Sequence, residues 1–108
     1  MADAFDDRRD AFEKKFKLDQ EQQFKALARR NRMLGEWLGE RMGLNASEIP
    51  GYAQAVIAAD LEEPGDEDVI RKVMADIAEH DAAVSEDEVR EKLVEFLEVA
   101  AAEIAGNG

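Results

Sequence analysis

The sequence predicts an all-α protein, an antiparallel four-helix bundle preceded by one extra helix. Three observations predict it. No stretch alternates apolar and polar residues as a half-buried strand would, threonine is absent, and Ala and Glu, both good helix formers, dominate. Apolar residues recur at spacings of three, four and seven along four separate segments, so that each carries one apolar face. Helix-start and helix-stop residues separate these segments by loops of a few residues, which favours antiparallel neighbours.

The stretch before the bundle is of a different kind. Its large apolar residues are Phe5, Phe12, Phe16 and Leu18. At about 100° per residue the three phenylalanines fall within about 40° of one another, a stripe narrower than a core face, with charges of both signs around it. A helix this short is marginal alone and should fray when free. The domain division is therefore a docking segment over residues 1–18 and a bundle over 19–108. A sparse aromatic stripe suits a helix that folds into a partner's groove. It suits equally a helix that folds back on its own bundle, and the pattern leaves both open.

Asp19-Gln20-Glu21-Gln22 has the form of a capping box and opens the first bundle helix, which Gly43 ends. Its apolar face is Phe24, Leu27, Ala28, Leu34, Leu38 and Met42. Gly35 and Gly39 lie one turn apart inside it, each costing about 1 kcal/mol relative to Ala, and close approach of a neighbouring helix is the simplest reason for them. Asn45-Ala46-Ser47-Glu48 opens the second helix, with Pro50 tolerated in its first turn. That helix should run to about Glu62 on a face of Ile49, Ala53, Val56, Ile57 and Leu61. Glu63-Pro64-Gly65-Asp66 reads as a turn and a cap, followed by a third helix to about Asp81 with Val69, Ile70, Val73, Met74 and Ile77 inward. Ser85-Glu86-Asp87-Glu88 is a second capping box. It starts a last helix that Gly106 should close, with Val89, Leu93, Phe96, Leu97, Ala100 and Ile104 inward.

Length and charge narrow the function. A chain of 108 residues has room for one core. Its net charge of −12 argues against nucleic acid or an anionic membrane as the partner. There is no cysteine, no secretory signal and no apolar run long enough to span a bilayer, so the expected protein is cytoplasmic, inserts in no membrane and is a monomer when free. The charge is uneven. Residues 1–42 carry ten basic and nine acidic side chains, the remainder four and seventeen. Either the N-terminal part faces a different partner, or a basic helix lies against an acidic bundle.

Catalytic constellations are missing. The one histidine, His80, falls late in a helix on its polar side, and the two serines are accounted for by helix starts, so a nucleophile with its base is not expected. No phosphate-binding glycine loop is present. The acids Asp60, Glu62, Glu63, Asp66, Glu67 and Asp68 crowd one turn without the ligand order of a calcium loop, and solvated helix-end charge explains them. No metal or cofactor is expected. Arg29-Arg30-Asn31-Arg32 is the densest basic run, read as a salt-bridged surface or as a contact for nucleotide or phosphate through Arg29, Arg30 and Arg32. Trp37 borders the main apolar face, where it seals the bundle edge or anchors a partner.

Several runs carry a family resemblance. Phe5-Asp6-Asp7-Arg8, Phe12-Glu13-Lys14-Lys15-Phe16, Phe24-Lys25, Ala28-Arg29-Arg30-Asn31 and Leu34-Gly35-Glu36-Trp37 resemble the ATPase-inhibitor zeta subunit of alphaproteobacterial F-type ATP synthases. So does Ala59-Asp60-Leu61-Glu62-Glu63-Pro64-Gly65-Asp66-Glu67-Asp68-Val69. The resemblance spans nearly the whole chain, with Arg9-Asp10 and Ile70 as departures. It implies a four-helix bundle with a mobile N-terminal helix, and a natural inhibitor of ATP hydrolysis that is not itself an enzyme. The implied partners are the catalytic head and central stalk of the synthase at the cytoplasmic face of the inner membrane, with the segment wedged into a catalytic interface. On that reading Phe5, Phe12 and Phe16 anchor the docking helix while Arg8, Arg9 and Lys15 pair with acids of the partner. The family is also suspected of binding adenine nucleotide on the bundle, so a non-inhibitory nucleotide-sensing or docking bundle stands as the alternative.

Overall fold

In the computed structural model, residues 11–61 and 65–107 are described. Among them the protein is all-helical, with four α-helices and one short π-helical segment, Ala11–Phe16, before them. The α-helices are α1 (Gln20–Arg41), α2 (Ile49–Asp60), α3 (Glu67–Glu79) and α4 (Glu86–Asn107).

Most helix ends follow the caps. The Gln22 N–H donates to Asp19 Oδ1 at 2.8 Å and the Asp19 N–H to Gln22 Oε1 at 3.0 Å, closing the box that starts α1. Gly43, at φ 81°, turns the chain out of α1, and the Leu44 N–H reaches back to the Gly39 carbonyl at 3.0 Å. Asn45 Oδ1 accepts from the N–H groups of Ser47 and Glu48, and the Glu48 carboxylate accepts from the Asn45 N–H. This box organises a turn, and α2 follows at Ile49 with Pro50 in its first turn. Ser85 and Glu88 form the reciprocal pair that starts α4.

Three ends differ from expectation. Helix α2 stops at Asp60 and α3 at Glu79, where Asp81 takes the left-handed conformation and the Ala82 N–H closes on the Ile77 carbonyl. Helix α4 runs through Gly106 to Asn107. Asp66 stands at the N-cap of α3 but makes no side-chain cap bond, because its carboxylate is taken by Arg30.

Contacts along the helices give their directions. Gly39 lies beside Ile49, Gly35 beside Ala53, and Asn31 bonds Asp60, so α1 and α2 run antiparallel. Trp37 faces Lys92 and Arg29 faces Glu103, so α1 and α4 are antiparallel too. The close α1–α2 approach explains both glycines. A Cβ on Gly35 would stand 2.6 Å from Ala53 Cα, and one on Gly39 would stand 3.0 Å from Ile49 Cγ1. Helix α3 departs from a regular bundle, since Arg90 near the start of α4 reaches Glu67 at the start of α3. A strictly antiparallel hairpin would bring Glu67 near the middle of α4.

Two apolar clusters result. The larger joins Leu34, Leu38 and Met42 of the α1 region, Val56 of α2, Val69, Ile70, Val73 and Ile77 of α3, and Val89 and Leu93 of α4, with Val84 from the turn and Trp37, Tyr52 and Phe96 along its rim. The smaller gathers Phe12, Leu18, Ala26 and Ala101, with Phe16, Leu27, Leu97 and Ile104 half-buried around them. Two large residues expected in the core are exposed instead. Phe24 is 57% and Leu61 63% exposed.

Candidate functional site

The site proposed from sequence begins with the N-terminal segment. Phe5, Arg8 and Arg9 lie outside the described residues. Phe12, Lys15 and Phe16 are within them, on the π-helical segment that precedes α1. Lys17 then adopts φ 56°, a left-handed conformation that costs a non-glycine residue about 1–2 kcal/mol. The Leu18 N–H closes the turn on the Phe12 carbonyl at 3.1 Å, and Gln23 Nε2 donates to the Leu18 carbonyl at 2.9 Å.

This turn lays the aromatic stripe on the bundle. Phe12 is 1% exposed, seated on two small residues, Ala26 of α1 and Ala101 of α4, whose lack of bulk leaves room for the ring. Phe16 is half-buried beside it. Lys15 remains exposed and pairs with Glu98 of α4 at 3.0 Å. Of the two arrangements open from sequence, residues 11–18 take the one folded back on the bundle.

The basic run of α1 is arranged differently from a phosphate cradle. Arg30 is 0% exposed. Its guanidinium donates from Nε and Nη2 to Asn31 Oδ1 at 3.0 and 2.8 Å and from Nη1 to Asp66 Oδ1 at 2.9 Å, with Asp60 Oδ2 at 3.9 Å from Nη2. Asn31 Nδ2 donates in turn to Asp60. A planar fork with five donors meets this set of acceptors, which a lysine could not. Arg29 pairs with Glu103 of α4 at 2.9 Å, and Arg32 lies 3.9 Å from Glu36 one turn along α1. The three arginines thus diverge, each beside a carboxylate. Arg30 is a buried tie between α1 and the turn after α2, which corrects the reading of Asp60 and Asp66 as solvated helix-end charge; Glu67 is exposed in the first turn of α3 as that reading expects, and Glu62 and Glu63 lie outside the described residues. The signal for this was that Arg30 falls between Ala26 and Leu34 on the inward arc of α1; no local pattern marks Asp60 and Asp66 as its partners.

The remaining polar candidates have structural partners. Ser47 Oγ donates to Asn45 Oδ1, and Ser85 Oγ belongs to the α4 cap. His80 is exposed, with Nδ1 2.9 Å from the Asp76 carbonyl. Trp37 packs against the larger cluster between Arg41 and Lys92, 4.6 and 5.4 Å from its ring, and so closes the bundle edge. No group of three His, Cys, Asp or Glu among the described residues is placed to hold a metal ion. No helix there is long and apolar enough to cross a membrane.

Residues 1–103 match the family model for ATPase inhibitor subunit zeta. The chain belongs to that family. A zeta-family chain is an ATPase inhibitor subunit, so inhibition, as part of an association with the ATP synthase, is its general role. A protein solved by solution NMR is 43% identical to this zeta-family chain and superposes with a TM-score of 0.69. The match covers 80% of this chain and 98% of that one. None of the curated proteins compared with it matches.

Proposed function

We propose that this chain restrains ATP hydrolysis by the F-type ATP synthase by inserting its N-terminal segment into a catalytic interface of the head, beside the central stalk, at the cytoplasmic face of the membrane. What carries the reading beyond the family is the separation of the two apolar clusters. The bundle has its own core from Leu34 to Leu93, and Phe12, Phe16 and Leu18 contribute nothing to it. The segment can therefore leave without dismantling the fold that presents it. Once released, its phenylalanines offer the large rigid apolar area typical of interface anchors, and Arg8, Arg9 and Lys15 supply charge for carboxylates of the partner.

The test is ATP hydrolysis by the cognate catalytic head with added protein, using the full chain, a chain lacking residues 1–18, and Phe12→Ala. The full chain inhibits, the truncated chain does not, and Phe12→Ala is weaker by about thirtyfold or more. Equal inhibition by the full and truncated chains would sink the insertion mechanism. The nucleotide-sensing alternative has less support, because Arg29, Arg30 and Arg32 all face carboxylates. A ligand at a hundred times its dissociation constant would add about 2.7 kcal/mol to stability, and the melting temperature is expected not to rise with ATP or ADP.

A further inference from the structure

The residue best suited to anchor a partner is here among the least accessible in the protein. Phe12 cannot fill a groove on another molecule while it fills the seat formed by Ala26, Ala101, Leu27, Leu97 and Ile104. We propose that this seat is an autoinhibitory latch. The bundle stores the docking segment with its anchor covered, and the exposed Lys15–Glu98 ion pair is the clasp that biases the closed state. The proposal rests on the segment being the docking element.

Three observations fit a latch better than a permanent part of the core. The seat is a cluster of its own, separate from the one that joins all four helices. The segment is held in a π-helical turn with a left-handed Lys17, a local conformation that relaxes when the segment leaves. Its one described ion pair is half-exposed on both sides, with Lys15 57% and Glu98 55% accessible, so the clasp is weak and screened by salt. A binding-competent state populated only in part lowers the apparent affinity for the partner by that fraction, and a change that opens the latch restores it.

Two variants and a crosslink test this. Glu98→Lys turns the clasp into a repulsion without touching the docking segment. Amides in residues 12–18 should then exchange faster in the isolated protein, and inhibition should set in about three- to fivefold faster. Since the chain has no cysteine, Lys15→Cys with Glu98→Cys can be joined selectively by a disulfide-containing bismaleimide. The crosslinked protein should fail to inhibit ATP hydrolysis by the catalytic head, and reductive cleavage of the linker should restore inhibition to that of the uncrosslinked double variant. Full inhibition by the crosslinked protein would overturn the latch, because the segment would then act without leaving its seat. If neither the parent nor the cleaved double variant inhibits, the function reading fails, and the latch is then judged on exchange alone. Unchanged exchange in Glu98→Lys rejects the clasp.

Discussion

Arg30 shows how one side chain can hold a fold's turn in place. Removing a partner from a buried charge pair leaves the other charges desolvated and uncompensated, at a cost of about 3–5 kcal/mol. Arg30→Ala is therefore expected to lose about 3 kcal/mol or more in denaturant unfolding, whereas Arg32→Ala, in an exposed pair, should stay within about 0.5 kcal/mol. Gly35→Ala would ordinarily gain about 1 kcal/mol of helix propensity. Here the added methyl meets the Ala53 backbone at 2.6 Å, so the helices must separate and the net effect should be destabilising by about 1–2 kcal/mol. Tyr52 gives a pH handle. Burial, and then the Asp76 carboxylate that accepts from its hydroxyl at 2.8 Å, push the phenol well above its ordinary value near 10. The folded state thus holds this proton more tightly than the unfolded one. Its contribution is fully present below about pH 10 and is lost as pH rises above that. As this is the only tyrosine in the chain, tyrosinate absorbance should appear only as the protein unfolds, and Tyr52→Phe should remove that part of the alkaline loss of stability.

The elements were legible wherever the information was local. Capping residues at Asp19 and Ser85, and Gly43 at the end of α1, act through local bonds or backbone conformation and behave as their spacing implies, whereas Asn45 makes the expected bonds but organises a turn ahead of α2, which starts only at Ile49. What was not legible depends on where a helix ends relative to its neighbour. Phe24 lies on the side of α1 that holds Asn31 and Gly35, but α2 stops at Asp60, opposite Asn31, and does not extend along that side to Phe24. Leu61, the C-cap of α2, is exposed just past that end. The seat for Phe12 was invisible because alanines at 26 and 101 look unremarkable until two helices and the segment converge on them. Deleting residues 1–18 should lower the melting temperature by only a few degrees, because burying Phe12 and Leu18 is worth about 1.5–3 kcal/mol each while fixing each backbone residue costs about 1–2 kcal/mol. Helical content of the bundle should survive; its loss would mean that the smaller cluster belongs to the core.

On the scale of the whole molecule, the uneven charge resolves into basic groups lying against acidic elements. Lys15 and Arg29 face Glu98 and Glu103 of α4, and Arg30 faces Asp60 and Asp66 at the turn between α2 and α3. These attractions coexist with the self-repulsion of a molecule whose net charge is −12. Salt acts on the two unequally. Raising ionic strength shortens the Debye length from roughly 30 Å at 0.01 M to 3 Å at 1 M, so diffuse repulsion fades and the compact state gains. The buried Arg30 pairs are screened little, while the exposed Lys15–Glu98 pair weakens as any surface pair does. The bundle and its stored segment should therefore respond in opposite directions. Between low and moderate salt the melting temperature should rise by a few degrees, while amide exchange in residues 12–18 accelerates relative to that of α1. Measuring both in the same samples decides the matter: if segment and bundle become more protected together, one cooperative unit holds both, and the segment is not separately releasable.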